Sequence, residues 1–242
     1  MSDQVYLGRG FWPVPPLWAG DTVLILGGGP SLADLAPRLD KGPLNPLPSW
    51  EGAGGGGASR VRVLAINDAF LLAPWADALY FCDLRWWHGV QNRPHLKRPF
   101  DAFPGLVVTL DNLQLRDRDP RIRCLANMGW DEKAGHTGLF DRPWGVFHGR
   151  NSGYQAIHLA VHAGARRILL AGYDMRPAPD GRANWHRNHE TPANPGAYDA
   201  VMLPSFPFLA AACAARGVEV INVTPGSALT AFPAGRLEDH IV

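Results

Sequence analysis

His186 and His189 lie in a long connection, RPAPDGRANWHRNHETPANPGAYDAV, that holds no extended apolar run. Connections in compact domains have a median of about 4–6 residues, and much longer ones are usually lids or binding segments. Imidazole is the side chain best suited to exchange a proton near neutral pH, so one of this pair, beside Trp185, is read as a general base. Paired with Asp174 or Glu190 the same histidines could instead hold a metal, or they could be structural. An i, i+3 spacing in an unassigned loop is weak ground for a ligand set, and no metal site is expected.

Arg150 adjoins a polar turn, Asn151-Ser152-Gly153, that opens a helical pattern. A guanidinium there suits the neutralisation of a phosphate, and the turn offers an amide, a hydroxyl and backbone donors, to a ligand or to the helix's own cap. His158 and His162, four apart on that helix, are read as partly buried or exposed rather than ligating. No Gly-x-Ser-x-Gly elbow occurs, so hydrolase chemistry of that kind is unsupported.

The elements that must position these groups are legible in the apolar pattern. Residues 149–175 read as a glycine-bounded turn, a helix from Ser152 to His162, a break at Gly164 and a strand from Arg167 to Ala171. The strand is continuously apolar, as expected of one covered on both faces, and it delivers Gly172, Tyr173 and Asp174 to its carboxyl end. Thr22–Leu26 runs into Gly27, Gly28, Gly29, Pro30 and Ser31, where small residues and a helix start suit a phosphate. Neither a Walker sequence nor a GxGxxG fingerprint follows. Val61–Ile66 ends in Asn67 and Asp68, a ribose or base contact or an Asx-type cap.

Further strands are read at Ala78–Phe81, ending in Cys82 and Asp83, at Leu106–Leu110, more weakly at Ile122–Ala126, and at Val218–Val223, ending near Thr224 and Ser227. Helical content from Arg93 to Pro104 is doubtful because prolines interrupt it, and residues 127–149 read as loop. Ser205–Arg216 reads as a helix. Five or six strands are thus separated by helices or irregular crossovers, and polar residues cluster after at least five of them. The expected fold is α/β, a Rossmann-like open and mainly parallel sheet with helices on both faces and a lid loop. One nucleotide-binding domain spans 1–242, with a Gly/Pro-rich insertion at 42–59 and a lid-like segment at 175–204.

Composition bounds the rest. Of 242 residues 46% are hydrophobic and 19% charged, which excludes a disordered or coiled-coil chain. A net charge of +1 gives no global field for a polyanion, so nucleic acid would need a local groove. Three widely spaced cysteines fit a reducing compartment, and neither a signal peptide nor an apolar run of eighteen is seen, so a cytoplasmic protein without a membrane span is expected. Trp12, Trp18, Trp50 and Trp144 lie in loop-like sequence and pack on the core or meet a flat ligand.

Taken together, Gly27–Leu32, Asn67-Asp68, Asn151-Ser152-Gly153, Gly172-Tyr173-Asp174, the His186/His189 loop and residues 222–233 resemble the bacterial sialyltransferase-like superfamily, most closely its small phage-encoded members. A more distant resemblance is to archaeal hydroxymethylpterin pyrophosphokinases. The resemblance implies a nucleotide-activated donor bound across the carboxyl edge. It gives nucleotide contacts to Gly28, Gly29, Ser31, Asn67 and Ser152, with Thr224 and Ser227 nearby. It makes His186 or His189 the base that deprotonates an acceptor hydroxyl; the family's leaving phosphate is stabilised by tyrosines, and here the chain departs from the pattern, the lid offering only Tyr198 while Tyr173 lies at a strand end. A glycosyltransferase needing no cofactor is implied, acting on a glycan or a modified nucleobase, as a phage protein in the host cytoplasm, with self-association a further expectation. The pyrophosphokinase likeness implies instead magnesium held by Asp68, Asp83 or Asp174. A non-catalytic nucleotide-binding accessory protein is the alternative from another class.

Overall fold

The unbroken apolar runs become neighbouring strands of one sheet. The computed structural model describes residues 3–39, 60–133, 135–186 and 195–240; the insertion expected at 42–59 and His189 lie outside them. The strands are β1 (Thr22–Leu26), β2 (Val61–Ile66), β3 (Ala78–Phe81), β4 (Leu106–Leu110), β5 (Ile122–Asn127), β6 (Gly145–Val146), β7 (Arg167–Ala171) and β8 (Glu219–Asn222). They form an eight-stranded sheet in the order β6-β5-β4-β3-β2-β1-β7-β8, with every adjacent pair parallel. The helices are α1 (Asp3–Gly8), α2 (Leu32–Leu39), α3 (Leu84–Asn92), α4 (Pro94–Asp101), α5 (Ser152–His162), α6 (Pro195–Ala197) and α7 (Phe206–Ala215). This is an open Rossmann-like α/β architecture.

Strand residues alternate between the two covered faces. Val23, Ile25, Leu64 and Ile66 share a core with Tyr154, Ile157 and Ala160 of α5 and Phe206 and Leu209 of α7. Leu24, Leu26, Val63 and Ala65 share the other with Leu32 of α2, Trp87 of α3 and Leu96 and Phe100 of α4. Full burial of such side chains is worth about 1.5–3 kcal/mol each, which outweighs local propensity. That is why α4 forms despite its prolines. Pro94 stands at the first helical position, where no N–H is needed, and Leu96 and Phe100 fall at i and i+4 on the buried side.

At its amino edge the sheet is closed by paired charge. Arg62 Nε donates to Asp21 at 2.9 Å and its terminal nitrogen to Asp77 at 3.0 Å. The carboxyl edge is where polar residues accumulate. Register brings the strand ends to one level: Leu26 lies opposite both Ala65 and Ala171, and Ile66 opposite Tyr80.

Several expectations are corrected. Eight strands replace five or six: each of the seven ranges read as strand forms one, and the two-residue β6, too short to carry a period, is the eighth. The loop-like sequence around Trp12 and Trp18 is preceded by α1 and seats Phe11, Val14 and Trp18 in the core. His158 is fully buried rather than partly so, because α5 is covered along most of its circumference. The end of the lid-like segment is helical from Pro195 through Ser205. The helical stretch Tyr198–Ala215 has the length and mean hydropathy of a membrane-crossing helix without being an unbroken apolar run. It includes Asp199 and seats Phe206, Leu209 and Cys213 in the core.

Candidate functional site at the carboxyl edge

Two arrangements divide the polar strand ends between them. In an open sheet the ligand crevice lies where strand order reverses, which here is between β1 and β7. That crevice is filled by the chain itself. Gly27 N–H donates to the Ala171 carbonyl at 2.8 Å and Gly29 N–H to the Gly172 carbonyl at 2.9 Å. The Asp174 carboxylate then accepts from the Ser31 amide at 3.1 Å and the Ser31 hydroxyl at 2.8 Å. An anion therefore occupies the start of α2, and it belongs to the protein. Burial pushes the Asp174 carboxyl up against the opposing pull of the Ser31 bonds.

The glycines follow from this packing. A Cβ on Gly27 would lie 2.6 Å from the Gly172 carbonyl oxygen, and one on Gly29 would overlap the Asp174 carboxylate. Gly28 has room, its nearest neighbour being Asn184 at 3.5 Å. Thr224 and Ser227 brace the same turn: Thr224 Oγ1 accepts from Tyr173 N–H at 2.9 Å, and Ser227 Oγ donates to the Tyr173 carbonyl at 2.5 Å. Gly153 admits the Tyr173 ring, whose hydroxyl donates to the Gly153 carbonyl at 3.1 Å.

The second arrangement is an open cleft of about 1350 Å³ under the ends of β2 to β6 and the start of α5. Asn67, Asp68, Asp83, Arg150, Asn151 and Ser152 line it, as do Cys82, Arg85, Asp111, Asn112, Asn127 and His148. Asn151 caps α5, accepting from Tyr154 N–H at 2.8 Å, and Asp83 caps α3, accepting from Arg85 N–H at 2.7 Å. Ser152 Oγ meets Cys82 Sγ at 3.2 Å, and burial pushes the Cys82 thiol up, so it stays protonated at neutral pH. His148 Nδ1 accepts from the Arg150 amide at 3.0 Å, while burial and the Arg150 charge lower its pKa and keep the imidazole neutral.

Backbone strain gathers at the same edge. Among the described residues, the non-glycine residues with positive φ are Asn67 (50°), Asp111 (53°), Arg150 (62°) and Met175 (50°). Asn and Asp tolerate this region, whereas for Arg and Met it costs on the order of 1–2 kcal/mol. Asn67 Oδ1 is buried with no hydrogen-bond partner among the described residues. The Arg150 guanidinium lies over the Trp130 ring, 5.1 Å from its centre.

Asp68 connects the cleft to the segment that carries His186. Its Oδ1 accepts from Trp86 Nε1 at 2.6 Å, and its Oδ2 lies 3.4 Å from His186 Nε2. Trp185 N–H donates to the Gly28 carbonyl at 3.2 Å and so fixes this segment over the glycine turn. The structure thus brings His186 to Asp68, and leaves Gly27, Gly29, Ser31, Asp174, Thr224 and Ser227 in the interlock. Asp68, Asp83 and Asp174 are committed to separate partners. Among the described residues no three His, Cys, Asp or Glu side chains converge.

Sequence reading passed over Asp111, Asn112 and Asn127 although they obey the rule that marked Asn67 and Asp68: each ends a strand or follows one within two residues. His148 carried no such signal, because β6 before it is only two residues long.

No protein-family model and no curated protein matches the sequence. A solved structure of the sialyltransferase CstII from Campylobacter jejuni, in complex with the substrate analogue CMP-3FNeuAc, is similar with a TM-score of 0.52 and 15% identity. The alignment covers 88% of this chain and 85% of that one. The likeness is one of fold, and it lends no support to the phage-encoded or archaeal links.

Proposed function

We propose that this chain is a transferase that moves a group, in the leading reading a sugar, from a nucleotide-activated donor to an acceptor hydroxyl. The observation that carries the reading is the convergence of the ends of β2 to β6 and the start of α5 on one large cleft, whose wall residue Asp68 lies 3.4 Å from His186. The fold likeness to an enzyme solved with a nucleotide-sugar analogue supports the class of donor.

In this reading the acceptor oxygen attacks the donor carbon as the bond from that carbon to the nucleotide phosphate breaks, and the phosphate leaves with the electron pair. His186 takes the acceptor proton. The amides of Gly27 and Gly29 are spent within the interlock, so charge developing on the leaving phosphate falls to Arg150 and the start of α5.

Calorimetric titration of the full chain with cytidine, uridine, guanosine and adenosine phosphates, each with and without magnesium, tests the reading. Metal-independent binding of one nucleotide is expected, followed by turnover of its sugar conjugate. His186→Ala should lower turnover by about 10²-fold or more and leave nucleotide affinity within a few-fold. Binding of no nucleotide would remove the transferase reading, and metal-dependent ATP binding would replace it with phosphotransfer.

A further inference from the structure

We propose that Asp68 is a positioning residue for His186, held in place by Trp86, and not a ligand of the nucleotide. The inference rests on the reading of His186 as proton acceptor, and its geometry is built by three separate parts of the chain. Asp68 sits on the 3-10 turn Asn67–Leu71 directly after β2, where it is 6% exposed. Trp86 belongs to α3. His186 arrives from the segment after β7.

Burying a carboxylate is costly unless both oxygens are used. Here each has one task. Oδ1 takes the Trp86 indole N–H at 2.6 Å, and Oδ2 faces His186 Nε2 at 3.4 Å. The indole is itself immobilised, with the Phe81 ring at 4.9 Å and the Phe70 ring edge-on at 6.2 Å. Asp68 therefore cannot rotate its charge away from the histidine without abandoning the indole. His186 is equally constrained, since Trp185 is bonded to Gly28 and its ring meets the imidazole at 4.9 Å and 78°.

A carboxylate facing Nε2 selects the tautomer with the proton on that nitrogen and directs the Nδ1 lone pair away from Asp68. In the transfer step the acceptor O–H proton passes to Nδ1. The imidazolium so formed is stabilised by the Asp68 charge, and Asp68 keeps no proton itself. Hydrogen bonds of this kind are often long in ligand-free sites and tighten in the substrate complex.

The test compares the wild type, Asp68→Asn and Trp86→Phe as full chains, each checked by its thermal transition. Nitrogen-15 NMR of the His186 ring, assigned by its disappearance in His186→Gln, should show the Nε2–H tautomer in the wild type and a mixture in Asp68→Asn. With a turned-over donor, Asp68→Asn should lower kcat about 10–100-fold while the donor KM stays within about twofold. Trp86→Phe keeps an aromatic ring and removes the N–H, and should lower kcat less in the same direction. It carries the test should Asp68→Asn fail to fold.

An unchanged tautomer in Asp68→Asn, or a raised donor KM with kcat intact, would overturn the inference and return Asp68 to the nucleotide. Full activity in His186→Ala alongside an altered tautomer in Asp68→Asn would instead remove the base assignment while leaving the positioning intact.

Discussion

The two halves of the carboxyl edge start from the same kind of sequence, a buried strand running into small and polar residues, and meet opposite fates. At β1 and β7 the polar groups satisfy one another: Asp174 fills the start of α2, and the two outer glycines exist to let backbone meet backbone. At β2 to β6 they line open space, with Asn67 Oδ1 unpartnered among the described residues and left-handed backbone at Asn67, Asp111 and Arg150. Strain and unsatisfied polarity persist in a fold only where surrounding structure imposes them, and they gather at sites of function. The glycine-rich turn after the first strand is thus taken up by packing here, the β1 and β7 half having left-handed backbone only at Met175 among its described non-glycine residues, and the neighbouring strand ends are the candidate site.

The largest effect should come from α5, the wall that both halves share. Its far face is anchored by two histidines, one buried and one half-buried: His158 Nε2 accepts from Phe140 N–H at 2.9 Å, and His162 Nε2 donates to the Gly145 carbonyl at 2.9 Å. Burial lowers His158 well below the usual imidazole value and His162 from 6.5 to about 4. A folded-state pKa below the unfolded one means that the unfolded chain binds protons first. Stability is therefore present above pH 6.5 and is lost as pH falls from 6.5 toward about 4. His162 alone should account for roughly 3 kcal/mol, and His158 acts in the same direction. Urea unfolding across this window should show the loss, and replacing both histidines with Gln should flatten it. Hydrogen exchange on the same samples should rise in the interlock and at the cleft together. A rise confined to the cleft would show that the interlock stands without α5.

Next in size is the contrast between adjacent glycines. Gly29→Ala sets a methyl group against the Asp174 carboxylate and 2.7 Å from the Gly172 carbonyl, and should cost about 2–3 kcal/mol by urea denaturation. Gly28→Ala meets only Asn184 and should change stability by less than about 0.5 kcal/mol. Equal costs would mean that the turn is not closed in the manner described.

The fold was legible wherever burial imposed a continuous pattern. Thr22–Leu26, Val61–Ile66, Ala78–Phe81, Leu106–Leu110, Arg167–Ala171 and the helix Ser152–His162 form over the residues their apolar runs indicate. What stayed hidden lacked a period or carried a misleading residue. β6 has two residues, and α4 holds Pro99, tolerated in its last turn. The candidate site was half legible for a different reason. That polar residues follow strands can be read locally, so Asn67, Asp68, Asp83 and Ser152 were found. Which of them face one another depends on strand order and on where the His186 segment settles. Nothing near Asp174 says that it will cap Ser31, and nothing near Asp68 says that it will meet Trp86 and His186.

The smallest effect is the sharpest test of the open half. Asn67 combines a φ of 50° with a side-chain oxygen that is buried and unbonded among the described residues. Replacement by Gly keeps the left-handed backbone, which glycine adopts freely, and removes only the amide. If the amide awaits a nucleotide, Asn67→Gly should weaken binding about tenfold, or about 1.4 kcal/mol, in calorimetric titration. Urea stability should stay level or rise slightly, because the strain is relieved and no protein bond is lost. Lower stability at unchanged affinity would reverse the meaning of the strain, making Asn67 part of the scaffold. The division of the edge into a closed half and an open one would then have to be drawn beyond β2.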